Sequence, residues 1–119
     1  MTRGPVIPPA APADRAAIRD LVTAAFGQLA EADLVDALVA NGDAVLELVA
    51  TQEGEIVGHI LFSRLFVEAD EGRVPAVALA PLAVRPKRLD SGIGTALVEH
   101  AHASLTHGGD SLSLVPREP

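Results

Sequence analysis

Leu79–Leu105, LAPLAVRPKRLDSGIGTALVEHAHASL, is the stretch on which the reading of the whole chain turns. It passes from an apolar run through a basic turn that holds Gly92 and Gly94, and then into a helical pattern. Ile93, Ala96, Leu97, His100, Ala101, Ser104 and Leu105 recur at three- and four-residue intervals, which predicts an amphipathic helix. The first turn of a helix leaves backbone N–H groups without intrahelical acceptors, and the helix dipole points its positive end there. Strand, glycine turn and helix start therefore predict a cradle for an anion such as a phosphate. Pro81 lies inside the apolar run, where it has no N–H to give to a ladder, so one side of that strand must be unpaired or bulged.

Downstream, Gly108-Gly109 ends the helix and SLSLV from Ser111 predicts a last strand, so that strand, helix and strand form a right-handed parallel crossover. Upstream, three β-branched and apolar runs predict an antiparallel meander: AVLELVAT from Ala44, IVGHILFSRLFV from Ile56, and VPAVALAPLAV ending at Val84. The polar turn Gln52–Glu55 joins the first two, and Glu68–Arg73, with Gly72, joins the second and third. Before the meander, Leu34, Val35, Leu38 and Val39 predict a helix from about Glu31 to Ala40, stopped by Asn41-Gly42. Ile18, Leu21, Val22, Ala25 and Phe26 predict another, with Asp14 as its N-cap and Gly27 as its stop. Val6-Ile7 is the one pair nearer the N-terminus that suits a short strand. The fold class expected is α/β (α+β): a mixed sheet with helices, residues 1–119 forming one domain.

Composition narrows the function classes. With 119 residues, 49% of them hydrophobic, the chain suits one core, and with 3% aromatic residues and neither Trp nor Tyr that core is aliphatic. A formal charge of −7 argues against a general nucleic-acid binder, which needs basic surface to exchange for counterions. The basic cluster Arg85, Lys87 and Arg88 is a local reversal beside the glycine turn. No apolar run approaches membrane-spanning length, the N-terminus has no continuous apolar segment of the secretory kind, and there is no Cys. A soluble protein of the cytoplasm is the expectation, with no membrane partner.

The spacing V-x-P-x-x-x-x-x-G-x-G at Val84, Pro86, Gly92 and Gly94 resembles the acetyl-CoA-binding motif of the GNAT acetyltransferase superfamily, and the order of elements from about Val6 to Val115 is similar to that family's. The resemblance implies N-acetyl transfer from acetyl-CoA to an amine, on a small molecule or a peptide. It implies that the strand bearing Pro81 splays from the last strand to admit the pantetheine arm, with Leu82, Ala83 and Val84 offering backbone groups to it. Asp90, Ser91, Gly92, Ile93, Gly94 and Thr95 match the pyrophosphate cradle, and the N–H of Val84 matches the group that polarises the thioester carbonyl. Two positions depart from the family pattern. Leu89 stands where Gln or Arg is usual, and Asp90 stands where a first glycine is usual, which places a carboxylate near the anion. Arg85, Lys87 and Arg88 are candidates to offset that charge.

Amine acetylation also needs a base and an acid. In the family the acid is a tyrosine beyond the fifth strand; this chain has no Tyr. His59 is the candidate base if it faces the wedge, with Glu68 or Glu71 in the nearby turn, and a structural His is the competing reading. His100, His102 and His107 lack metal-ligand spacing, so no metal is expected. Members of the family continue with a further helix and two strands, so the expectation is a shortened domain. The alternative to an enzyme is a non-catalytic CoA-binding or interaction module, or an inactive remnant. An uncovered last strand, with Leu112 and Leu114 on one face and Val115 on the other, predicts a homodimer through that edge or poor stability.

Overall fold

A computed structural model of the chain describes residues 5–70, 72–88, 92–107 and 114–115. A 3-10 turn, Pro12–Asp14, leads into α1 (Arg15–Phe26) and α2 (Ala30–Ala40), followed by β1 (Ala44–Gln52), β2 (Glu55–Ala69) and β3 (Gly72–Val84). A second 3-10 turn, Pro86–Arg88, precedes α3 (Ile93–His107), and β4 (Leu114–Val115) follows. The sheet order is β1-β2-β3-β4, antiparallel through β3, with β4 parallel to β3 at Val77 and Ala78. Meander and parallel crossover are thus as the periodicity predicts. Ser111–Ser113 and the side chains of Leu112, Leu114 and Val115, on which the dimer expectation rests, lie outside the described residues.

The local signals act through identifiable geometry. Gly27 closes α1 in the left-handed region at φ 73°, its N–H bonded to the carbonyl of Thr23. Asp14 does not cap α1 with its side chain; its carboxylate instead accepts from the N–H of Ala11 and closes the preceding 3-10 turn. Glu53 and Gly54 both take positive φ between β1 and β2, the two-residue turn whose twist matches an antiparallel pair. The expected first strand is reduced to bridges from Val6 to Thr51 and from Pro9 to Leu48 along the outer edge of β1. Pro8 and Pro9 have no N–H to extend that ladder.

The sheet is buried on both faces. Leu48, Ala50, Val57, Ile60 and Phe62 meet Ile93, Leu97 and Ala101 of α3 on one side. On the other, Val49, Leu61 and Ala83 meet Ile18, Leu21 and Val22 of α1 and Ala32 and Val35 of α2. Gly58 lies under α3: a β-carbon there would stand 2.8 Å from Ile93 Cγ2 and 2.9 Å from Leu97 Cδ1. Arg19 ties the two helices of the opposite layer, with ion pairs of 2.8 Å to both Asp33 and Asp36.

Candidate functional site

The register between β2 and β3 slips once. Ile60 pairs with Leu82 and Phe62 with Leu79, so Ala80 and Pro81 together face Leu61. That is a β-bulge, and it falls where a proline can be tolerated. Beyond the bulge, the N–H of Arg85 donates to the carbonyl of Val57 at 2.8 Å. Along a strand the N–H and C=O of successive residues point to opposite edges. Arg85 and Ala83 therefore turn their backbone groups toward β2, while Leu82 and Val84 turn theirs to the outer edge of β3. Among the described residues β4 pairs with that edge only at Val77 and Ala78, away from Leu82 and Val84.

The side chains of Leu82 and Val84 pack on the α3 face, next to the start of that helix. Gly92 takes φ 80°, a conformation that glycine adopts without cost. The first described helical bond runs from Ala96 N–H to the Gly92 carbonyl, so the amides of Ile93, Gly94 and Thr95 precede it, where a helix offers no acceptors. Gly94 is in an ordinary conformation, and a β-carbon there would meet Val84 Cγ2 at 3.7 Å and Leu82 Cδ2 at 3.9 Å. Leu82, Gly94, Thr95, Val98 and Glu99 line an open groove of about 560 Å³. Outward strand amides and a helix start thus share one groove, and of the residues read from sequence it gathers Leu82, Val84, Gly94 and Thr95 at or beside it. Ile93 is fully buried beneath it in the core. Asp90 and Ser91, with Leu89, lie outside the described residues.

Two of the three basic residues beside the turn are engaged with the β1–β2 hairpin. Arg85 donates to the carbonyl of Ile56 at 3.2 Å and stands 3.8 Å from Glu55, and Arg88 donates to the side chain of Gln52. Lys87 is exposed. The arginines hold the hairpin against the turn, a contact between distant segments that a run of charge in the sequence does not disclose.

His59 is fully buried and shares its face with its register partners Val49 and Ala83, the face covered by α1 and α2. It is on the opposite side of the sheet from the side chains of Leu82 and Val84 and does not line the groove. Its Nε2 is 2.7 Å from Glu47 Oε2, and the same oxygen is 2.5 Å from Arg15 Nη2. Burial by itself would raise the Glu47 pKa; hydrogen bonds and charge from His59 and Arg15 outweigh it and hold the carboxyl below its ordinary value of 4.5. A depressed folded-state pKa contributes stability that is present above the unfolded value and lost as pH falls through the folded one. Glu47→Gln is therefore expected to flatten the acid limb of the stability curve below about pH 4.5, measured by denaturant titration at a series of pH values. Sequence reading missed this group. Its signal was Glu47 itself, a single carboxylate in AVLELVAT where both faces of the strand are buried.

Glu68 and Glu71 fall among side chains or residues outside those described, as does His107; His100 and His102 are exposed on α3. Among the described residues no group of three or more His, Cys, Asp or Glu could hold a metal ion. No described helix is long and apolar enough to cross a membrane.

Residues 15–114 match the model of the Acetyltransferase (GNAT) family, and the chain belongs to that family. It is 41% identical over 87 residues to YjhQ of Escherichia coli strain K12, an uncharacterized N-acetyltransferase, in a match spanning 71% of this chain and 48% of YjhQ. To YhbS of the same strain, also an uncharacterized N-acetyltransferase, it is 36% identical over 99 residues, 82% of this chain and 58% of YhbS. The chain thus spans about half the length of these relatives. The crystal structure of a GNAT family acetyltransferase from Brucella melitensis in complex with acetyl-CoA superposes with a TM-score of 0.86 at 32% identity, covering 97% of this chain and 76% of that one. The YhbS structure from Escherichia coli in complex with CoA superposes with a TM-score of 0.84 at 31% identity, covering 95% of this chain and 62% of that one. The mixed sheet with three helices is the fold these proteins share.

Proposed function

We propose that the chain carries the donor half of an N-acetyltransferase site: it binds acetyl-CoA and moves the acetyl group to an amine of a small molecule or peptide, in the cytoplasm. The observation that carries this reading is the outward set of the Leu82 and Val84 backbone groups beside the start of α3. The Brucella melitensis and Escherichia coli relatives solved with acetyl-CoA or CoA support it.

When bound, acetyl-CoA supplies an activated thioester. Leu82 and Val84 pair with the pantetheine amides as an added strand does, with Ala83 holding them in place against β2. The Val84 N–H polarises the thioester carbonyl and stabilises the oxyanion that forms on attack. The amides of Gly92, Ile93, Gly94 and Thr95, at the positive end of α3, hold the pyrophosphate, and Asp90 and Ser91 belong to the same cradle by their match to the family motif. Calorimetry with CoA and a thiol-release assay over a panel of amines test the reading. Binding without turnover would leave a CoA-binding or interaction module, and no binding would overturn the assignment. Asp90→Gly is expected to tighten CoA binding by removing a like charge from the cradle, read as a lower Kd that converges on the parent value at high salt. A homodimer through the β4 edge belongs to the same proposal, and a monomer at all concentrations in sedimentation would remove it.

A further inference from the structure

Arg85, Lys87 and Arg88 fall in one short stretch of sequence, and the structure gives them different surroundings. The N–H of Arg88 donates to the carbonyl of Arg85 at 2.8 Å and closes the 3-10 turn Pro86–Arg88. Side chains three residues apart in such a turn lie one above the other on the same side of it. Arg85 and Arg88 are such a pair, and both are half-buried against the β1–β2 hairpin. Arg85 donates to the Ile56 carbonyl and is further offset by Glu55 at 3.8 Å, while Arg88 donates to the Gln52 side chain. Lys87 is out of phase with both in the turn and is exposed. Among the described residues no hydrogen bond or ion pair engages its ammonium.

We propose that Lys87 is the cation that meets the 3′-phosphate of the CoA donor, and that Arg85 and Arg88 shape the turn without touching the donor. This deepens the acetyltransferase reading and rests on it. CoA carries phosphate in two chemical forms. Its pyrophosphate suits the backbone amides of a helix start, a mode of recognition that needs no side chain. Its 3′-phosphate is a monoester, a group that carries about −1.5 to −2 charge at neutral pH, and it hangs from the ribose beyond the pyrophosphate. A chain of formal charge −7 repels such a group over a distance, and a local cation offsets that repulsion. Lysine presents a point charge on a flexible stem, which suits an exposed phosphate better than a planar guanidinium already fixed to a carbonyl.

The path of the chain places Lys87 at the nucleotide end of the donor. By its number it is three positions past Val84 and five before Gly92, so the turn that carries it leaves from the strand of the groove and returns at the helix of the groove. Three residues reach at most about 10 Å from Val84, and less in a 3-10 turn. With the pyrophosphate at the start of α3, the pantetheine arm runs back along the outer edge of β3 from Val84 to Leu82, away from the turn. The nucleotide therefore leaves the pyrophosphate on the side of the turn. The arginines face the hairpin, which lies across β3 on the side of β2, and Lys87 is rotated away from that side.

The test is calorimetry on the full chain with CoA and with dephospho-CoA, which lacks only the 3′-phosphate. The parent should bind CoA about 5-fold more tightly than dephospho-CoA, the upper end for an exposed ion pair, and the ratio should fall toward one at high salt. Lys87→Gln should weaken CoA by the same factor, leave dephospho-CoA unchanged and bring the ratio to one, while Lys87→Arg retains it. Arg85→Gln and Arg88→Gln should lower Tm and weaken both ligands alike, with the ratio intact. A parent that binds the two ligands equally, or a ratio unchanged in Lys87→Gln, would overturn the proposal and leave the acetyltransferase reading standing. Loss of the ratio in Arg85→Gln or Arg88→Gln at parent Tm would overturn the part that keeps the arginines off the donor. A parent that binds neither ligand would overturn both readings together.

Discussion

Gly94→Leu is expected to fold like the parent and to bind CoA about 10- to 100-fold more weakly, the loss of roughly 1.5–3 kcal/mol that accompanies a charge-assisted hydrogen bond. The structure separates the two effects. Gly94 has an ordinary backbone conformation, and a β-carbon there meets only Val84 Cγ2 and Leu82 Cδ2, at ordinary contact distances. Stability should therefore hold. The same two neighbours line or flank the groove, so the rest of a leucine side chain has to project into the space assigned to the donor. Gly94→Ala is the graded control, with a smaller loss. Calorimetry giving equal Kd values for parent and Gly94→Leu would remove the groove as the CoA site. Gly92→Leu cannot serve in its place, because at φ 80° any side chain strains the turn and confuses folding with binding.

Gly58→Val should have the larger effect on stability, about 3 kcal/mol, the upper end of what over-packing costs. The first added carbon alone falls 2.8 Å from Ile93 Cγ2 and 2.9 Å from Leu97 Cδ1, and Ala50 Cβ lies 3.4 Å away on a third side. Ile93 is β-branched and fully buried, with little rotamer freedom in a helix, so the strain passes to α3 as a whole. Because α3 begins at the groove, CoA binding should weaken together with Tm, which is expected to fall by about 10 °C for a domain of this size. A variant with parent Tm would mean that α3 is not seated on β2 in this way.

Much of the fold is legible in the residues because each signal is local and mechanical. Gly27 and Gly42 end helices with positive φ, Glu53-Gly54 forms the hairpin turn, and Pro81 marks the bulge. The side-chain alternation of AVLELVAT assigns Leu48 and Ala50 to one layer and Val49 to the other. What escapes sequence is whatever depends on two distant segments meeting. Arg85 and Arg88 look like a basic patch for an anion, yet Arg85 reaches Ile56 and Arg88 reaches Gln52, because the hairpin happens to pass beneath the turn. His59 suggests a base facing the wedge. Its parity along β2 depends on the extra residue at Val57, which shifts the register between Ala50 and Thr51, and no composition rule announces that shift. Glu47 and Arg15 are 32 positions apart by their numbers and share no motif.

The bulge at Ala80 and Pro81 acts as a phase shift in the chain's count. Without the additional residue, every position after it would exchange edges, and the Val84 N–H would be spent on β2 instead of facing outward. The outward set of the Leu82 and Val84 backbone groups, on which the proposed donor site rests, is therefore encoded by the number of residues between Leu79 and Val84 more than by their side chains. An alanine scan of Leu82 and Val84 would alter the packing against α3 and leave the donated N–H untouched. Length changes between Leu79 and Val84 should be far less tolerated than substitutions there. An ester bond in place of the Ala83–Val84 peptide, which removes the one N–H and keeps both side chains, is the perturbation that reaches it.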